Sequence, residues 1–297
     1  MKILISGSNG LLGSALIPSL QAAGHDLTRL IRRPGNGIVW NPDTGVIDKN
    51  ALEDFEAVIH LAAENIGSGL WTAGKKEKIR SSRLTGTGLL AKTLATLNRP
   101  PSVLISASAT GYYGDRGSVI LDETSTPGEG FLARVCQDWE KATEPALQAG
   151  VRVVQTRFGL ILSARGGILS RLRLPFKLGL GANMGDGKQY QPWIAMDDAV
   201  AAIGHILTSP ALSGPVNIVA PQSVTNHEFT EILGQVLRRP VMFSLPAMLL
   251  KLILGELARE LLLSSARVQP KKLNDSGFKF KYTRLQTALH SILATEK

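Results

Sequence analysis

Residues 2–13 read KILISGSNGLLG, a short apolar run that passes directly into three glycines spaced three apart. Ile3, Leu4 and Ile5 would be apolar on both faces of an extended chain, the pattern of a strand buried in a parallel sheet. Leu12, Leu16, Leu20 and Ala23 then recur at helical spacing, and Gly24 closes the helix. Strand, glycine loop and helix in this register are the opening of a dinucleotide-binding unit. Gly7 permits the tight turn, Gly10 lets backbone approach a pyrophosphate, and Gly13 lets helix and strand pack closely. The helix start offers unpaired N–H groups and a positive dipole end to an anion. A purely structural glycine turn is the competing reading.

Working outward, apolar runs at DLTRLIR, AVIHLAA, SVLISASA and VRVVQTRFGLIL alternate with helix-period segments over 75–97 and 128–142. Such alternation predicts an α/β fold, a Rossmann doubly wound parallel sheet. After about residue 164 the rhythm changes. The glycine-rich LPFKLGLGANMGDGKQYQPW precedes a helix near 196–209, a short strand VNIVA, and helices near 227, 246, 257 and 285. The expected division is 1–164 plus 196–222 for the Rossmann domain. Residues 165–195 plus 223–297 form a smaller, mostly helical C-terminal substrate domain.

Composition narrows the function classes. The 297 residues are 44% apolar and 19% charged, with one cysteine and a net charge of +9. A lone Cys136 makes no disulfide and suits a reducing compartment. No pair of histidines sits at ligand spacing, so no metal site is expected. The basic residues are scattered, and few aromatics interleave with the cluster KKEKIRSSR, so a nucleic-acid partner is not expected. No secretory leader is read at the start of the sequence, so a cytoplasmic location is expected. The apolar PVMFSLPAMLLKLILGELARELLL is interrupted by Lys251, Glu256, Arg259 and Glu260, too early for a membrane span. It is read as buried or domain-covering helices.

The second strand ends at Arg32-Arg33-Pro34. An NAD site places an acid there to bond the ribose 2′-hydroxyl, whereas arginine suits a 2′-phosphate. The expected cofactor is therefore NADP, against the alternative that both arginines belong to a solvated turn.

The glycine loop, HLAAEN, SASATGYYGD and WIAMDD together resemble the extended short-chain dehydrogenase/reductases. LPFKLGLG, LSGPVNIVAP and LLLSSARVQPKKL extend the likeness almost end to end, and it is nearest their atypical, epimerase-like branch, the nucleoside-diphosphate-sugar epimerase family proteins. The resemblance implies a bound NADP. Gly7, Gly10, Leu11, Leu12 and Gly13 would wrap its pyrophosphate and Arg32 would meet its 2′-phosphate. Leu61 and Ala62 would line the adenosine side, and Leu160 would pass close to the nicotinamide. Arg83 matches a cofactor-contacting position, or else is a surface charge. Glu64 and Asn65 would face the cofactor.

Ordinary members of the superfamily carry Tyr-x-x-x-Lys on one helical turn, where the lysine lowers the tyrosine pKa for acid–base work. In GEGFLARVCQDWEKA (128–142) those slots hold Leu132 and Cys136, or one residue earlier Phe131 and Val135. The pair is absent. Ser108 matches the usual serine slot and Tyr113 a tyrosine on the active-site rim, so these are the candidate catalytic residues. Cys136 is read as a buried, inert thiol and His60 as a core histidine. Asp197 and Asp198 are read as a helix cap and a first-turn acid. Two functions follow. One is an NADP-dependent oxidoreductase or epimerase acting on a small molecule. The other is a non-catalytic NADP-binding regulator that acts through a protein partner, a class that the cell-division label of some relatives would fit.

Overall fold

Every residue of Ile3–Ile5 and of Ala57–His60 is buried, and that decides the architecture. A strand apolar on both faces must lie in mid-sheet with a layer on each side. The computed structural model describes residues 1–294. It divides into two compact units, Met1–Ser108 with Val135–Arg157 and Val200–Val216, and Ala109–Arg134 with Phe158–Ala199 and Asn217–Lys297.

The strands of the main sheet are β1 (Lys2–Ser6), β2 (Asp26–Ile31), β3 (Ile38–Asn41), β4 (Val46–Ile47), β5 (Ala57–His60), β6 (Val103–Ala109), β7 (Arg152–Phe158) and β8 (Gly214–Ile218). Their order is β8-β7-β6-β5-β1-β2-β3-β4. β1 pairs in parallel with β2 and β5, aligning Ile3 with Leu27 and Ala57. The order reverses beside β1, so the carboxyl ends of β1 and β5 flank the switch point where this architecture binds its ligands. The reading of an α/β fold with a doubly wound parallel sheet is met. The chain reaches one strand pair further than the periodicity shows: β3 and β4 lie in GNGIVWNPDTG, where glycines and a proline disguise four- and two-residue strands.

Helix α1 (Leu11–Ala22) buries Leu12, Leu16, Ile17 and Leu20, while Ala23 lies outside the helix and exposed. Helix α2 (Ala73–Leu94) begins at Thr72, whose hydroxyl accepts from the Lys75 N–H at 3.2 Å. Its buried stripe runs through Ile79, Arg83, Gly86, Thr87 and Leu90. A Cβ on Gly86 would approach the Trp40 ring to 3.2 Å, so a larger residue would push this helix off the sheet. Helix α3 (Phe131–Lys141) buries Val135, Cys136 and Trp139, and the Trp139 indole N–H donates to the Thr87 hydroxyl at 2.8 Å.

In the second unit, one core gathers Leu162, Phe176, Trp193, Phe229, Leu233 and Leu289. A second gathers Tyr113, Leu121, Val219, Ala266 and Val268. This second cluster, with Ile120–Leu121 paired in parallel to Arg267–Val268, groups residues 109–134 with the C-terminal unit. The strand Leu160–Leu162, paired with Trp193–Ala195, does the same for residues 158–164. The expected boundary at 164 therefore differs from the observed one. Helix α4 (Glu144–Gln148) precedes β7; α5 (Gly167–Lys177), α6 (Met196–Thr208), α7 (Asn226–Leu237) and α8 (Ala247–Leu254) follow. Helix α6 begins at Met196, so Asp197 and Asp198 are both first-turn acids and the expected cap is not met. The Asp198 carboxylate also accepts from the N–H groups of Lys281 and Tyr282 at 2.7 and 3.0 Å, fastening the C-terminal segment. PVMFSLPAMLLKLILGELARELLL is expected to form buried or domain-covering helices; in α8 Leu250 is the buried residue, so burial is not met there, whereas Leu257 and Ala258 further along are buried.

His60 lies fully inside the first unit. Its Nδ1 shares a 2.6 Å hydrogen bond with the Ser6 hydroxyl, and its ring stands edge-on to Trp40. Burial pushes its pKa down to about 4. Below the ordinary value of about 6.5 the unfolded chain takes up a proton that the folded chain refuses, so stability falls as pH drops through that window. Chemical denaturation between pH 7 and 4 should show an acid-side loss of roughly 3 kcal/mol that His60→Gln removes.

Candidate functional site

The glycine loop is held by contacts that admit no side chain. Gly7 has φ +70°, and a Cβ there would stand 2.6 Å from the Leu61 carbonyl carbon and 2.7 Å from the Ala62 nitrogen. A Cβ on Gly13 would stand 2.3 Å from the Gly7 carbonyl oxygen. The loop closes through the Gly10 N–H donating to the Gly7 carbonyl at 3.0 Å. Gly10 caps α1 with extended backbone and no side-chain acceptor, and no acid occupies the first turn. The N–H groups of Leu11 and Leu12 thus open a helix with its anion-binding end undefended. The backbone of Leu61 and Ala62 runs against this loop.

Beyond the ends of β2 and β5 lies a cavity of about 310 Å³ lined by Arg32, Trp40, Ala62, Glu64, Lys78 and Ser82, among others. Arg32 and Lys78 bring positive charge to it. The Lys75 ammonium binds Glu64 at 2.6 Å and holds that carboxyl below its usual range, with Lys78 and Arg32 adding to the effect. Asp43, from the turn after β3, also reaches the wall. Trp40, Asp43, Lys78, Ser81 and Ser82 went unnoticed in the sequence. Lys78 sat in the basic cluster as one charge among several, and only the placement of α2 distinguishes it.

Arg83 is not a surface charge. Its side chain is buried, one guanidinium nitrogen donates to the carbonyls of Glu64 (3.1 Å) and Ile79 (2.9 Å), and the head stacks over Trp139. Desolvation lowers its pKa, opposed by the electrostatic pull of Cys136 and Glu64. Cys136 is buried, and it stands in one of the two possible registers for the missing lysine.

The candidate catalytic residues are placed apart from that role. The Ser108 hydroxyl donates to Glu140 Oε1 at 2.7 Å. Arg157 grips the same carboxylate from its other side, Nε to Oε1 and Nη2 to Oε2, both at 2.8 Å. A serine whose only proton is committed to a carboxylate has nothing left to polarise a carbonyl. Tyr113 does not stand on a rim: it is fully buried in the second unit, and its hydroxyl donates toward the Asp122 carbonyl and Asn217 Oδ1 at 3.0 and 2.8 Å. Trp193 is likewise enclosed, its indole N–H donating to the Gln222 carbonyl. Leu160 lies in the second unit, where its N–H donates to the Pro192 carbonyl. Glu140 and Arg157, the tightest buried ion pair near Ser108, carried no sequence signal because they are 17 residues apart on a helix and a strand.

The profile of the NAD dependent epimerase/dehydratase family matches residues 3–219, and a domain of unknown function, DUF1731, matches 245–292. Epimerase family protein Mb2239 of Mycobacterium bovis is 43% identical over 290 residues, covering 97% of this chain and 96% of its own. Human epimerase family protein SDR39U1 is 33% identical, covering 99% of this chain and all of its own. The crystal structure of that human protein (isoform 2) with NADPH superposes with a TM-score of 0.92 at 31% identity, over 99% of each chain.

Replacing one member of the buried pair tests what it holds. Glu140→Gln keeps the shape, removes the countercharge of Arg157, and should cost about 3 kcal/mol or more in denaturant unfolding. Ser108→Ala, which removes one hydrogen bond, should cost about 1 kcal/mol.

Proposed function

This chain belongs to the NAD dependent epimerase/dehydratase family, and from that premise we propose that it binds NADP(H) as an epimerase-like oxidoreductase of a small molecule. The observation that carries the reading is the conjunction of two features in one unit. The glycine loop closes against Leu61 with no room for a Cβ, and a cavity next to it is walled by Arg32 and Lys78. Gly7, Gly10, Leu11, Leu12 and Gly13 would hold the pyrophosphate on backbone N–H groups. Trp40 and Ala62 would enclose the adenosine, with Arg32 and Lys78 on the 2′-phosphate. Arg83, on the buried side of α2, would supply charge.

When bound, the nicotinamide supplies or receives a hydride. The chain's own part is to bind, orient and keep water out. Proton transfer cannot follow the usual route, because Leu132 and Cys136, or Phe131 and Val135, stand where tyrosine and lysine would. Ser108 is the remaining polar group of the expected machinery, and as placed it would accept a hydrogen bond from substrate rather than give one.

The engaged hydroxyls of Ser108 and Tyr113 favour a second reading, in which the protein binds NADP(H) without turnover and signals cofactor state to a partner. Transfer of deuteride from labelled NADPH to any member of a carbonyl panel would exclude it.

Calorimetric titration tests the shared premise. NADPH should bind more tightly than NADH, and Arg32→Ala should weaken NADPH by about ten- to a hundredfold while leaving NADH almost unchanged. Failure of both nucleotides to bind the folded wild type would reduce the glycine loop to a structural turn and end the proposal.

A further inference from the structure

Helix α8 presents apolar side chains where a monomer normally shows polar ones. Met248 is 84% and Leu252 82% exposed, and Leu249 and Ile253 extend the same face. Positions 248, 249, 252 and 253 fall on one side of a helix, opposite the buried Leu250. The apolar surface continues beyond the helix within the second unit. Strand Phe243–Leu245 pairs in parallel with Ala182–Met184, and Arg239 donates to the Lys177 carbonyl at 2.8 Å. These contacts bring Met242 and Phe243 beside the 177–184 segment, which carries Leu178 and Leu180; all four are exposed, as is Leu174 one turn earlier. Scattered exposed leucines need no explanation, but a contiguous face of this kind marks an interaction site.

Charge identifies the occupant. Residues 167–181 contain Arg171, Arg173 and Lys177 and no acid. Residues 238–256 contain Arg238, Arg239 and Lys251 against Glu256 alone. A second copy of the chain docked on this face would bring one cationic rim against another, which opposes association. An anionic bilayer meets both requirements: acyl chains accept the protruding methionine and leucines, and headgroup phosphates meet the lysines and arginines. Among the described residues no helix is long and apolar enough to cross a membrane, and α8 has only eight residues. It would lie in the interface plane.

We propose that α8 and the adjoining 174–180 and 242–245 segments form a peripheral docking surface for an anionic lipid bilayer. The surface is independent of the nucleotide site, so the proposal stands or falls apart from NADP binding. The test is co-sedimentation of the full chain with unilamellar vesicles of phosphatidylcholine alone, or mixed with phosphatidylglycerol. Wild type should pellet with the phosphatidylglycerol vesicles, less so as salt is raised. The double variant M248S/L252S should lose partitioning roughly tenfold or more. K177E/K251E should lose it on anionic vesicles, and both variants should melt like wild type because the changed side chains are exposed. Wild type that fails to pellet, or binds both vesicle types equally, overturns the proposal. So does a wild-type dimer by light scattering that M248S/L252S converts to monomer, since the face would then be an interface between copies.

Discussion

Gly7 and Leu61 approach so closely that no side-chain carbon fits between the glycine loop and the chain leaving β5. Much of the first unit depends on that approach. It fixes how far β1 and β5 project at the point where strand order reverses, and it sets α1 with its bare N–H groups aimed past the sheet. It also sets the near wall of the Arg32–Lys78 cavity, because Ala62 both abuts Gly7 and lines that space. The φ of +70° is a cost that only glycine meets without strain, and the geometry it permits suits a pyrophosphate.

Packing organises the remainder of the first unit. α3 keeps its buried stripe of Val135, Cys136 and Trp139 but carries no acid–base pair. Near it stand two buried charged arrangements of different kinds. Glu140 and Arg157 satisfy one another and take in Ser108, so their charges cancel inside the fold. Arg83 is held by the Glu64 and Ile79 carbonyls and by the Trp139 ring, an arrangement that leaves positive charge in the protein interior. A buried cation held by carbonyls and an aromatic face raises the local potential.

The second unit spends its apolar residues differently. Trp193, Phe229 and Leu285 fill a core, Tyr113 anchors another, and α8 turns a comparable density of leucine and methionine outward. Apolar content alone does not separate the two cases. What differs is whether another element covers the face.

The sequence by itself determined the parallel sheet, the glycine loop, the arginine after β2 and the absence of Tyr-x-x-x-Lys, because each is a local pattern in which spacing alone dictates geometry. Short strands inside turn-rich sequence, such as Ile38–Asn41, were invisible for the converse reason: their stability comes from pairing with β2. Likewise, only tertiary structure could bring Lys78 to the cavity, seat Ser108 on Glu140 and Arg157, enclose Tyr113, and leave Met248 and Leu252 in the open. Burial and hydrogen-bond partnership are properties of neighbours far apart in the chain, and no period along the sequence encodes them.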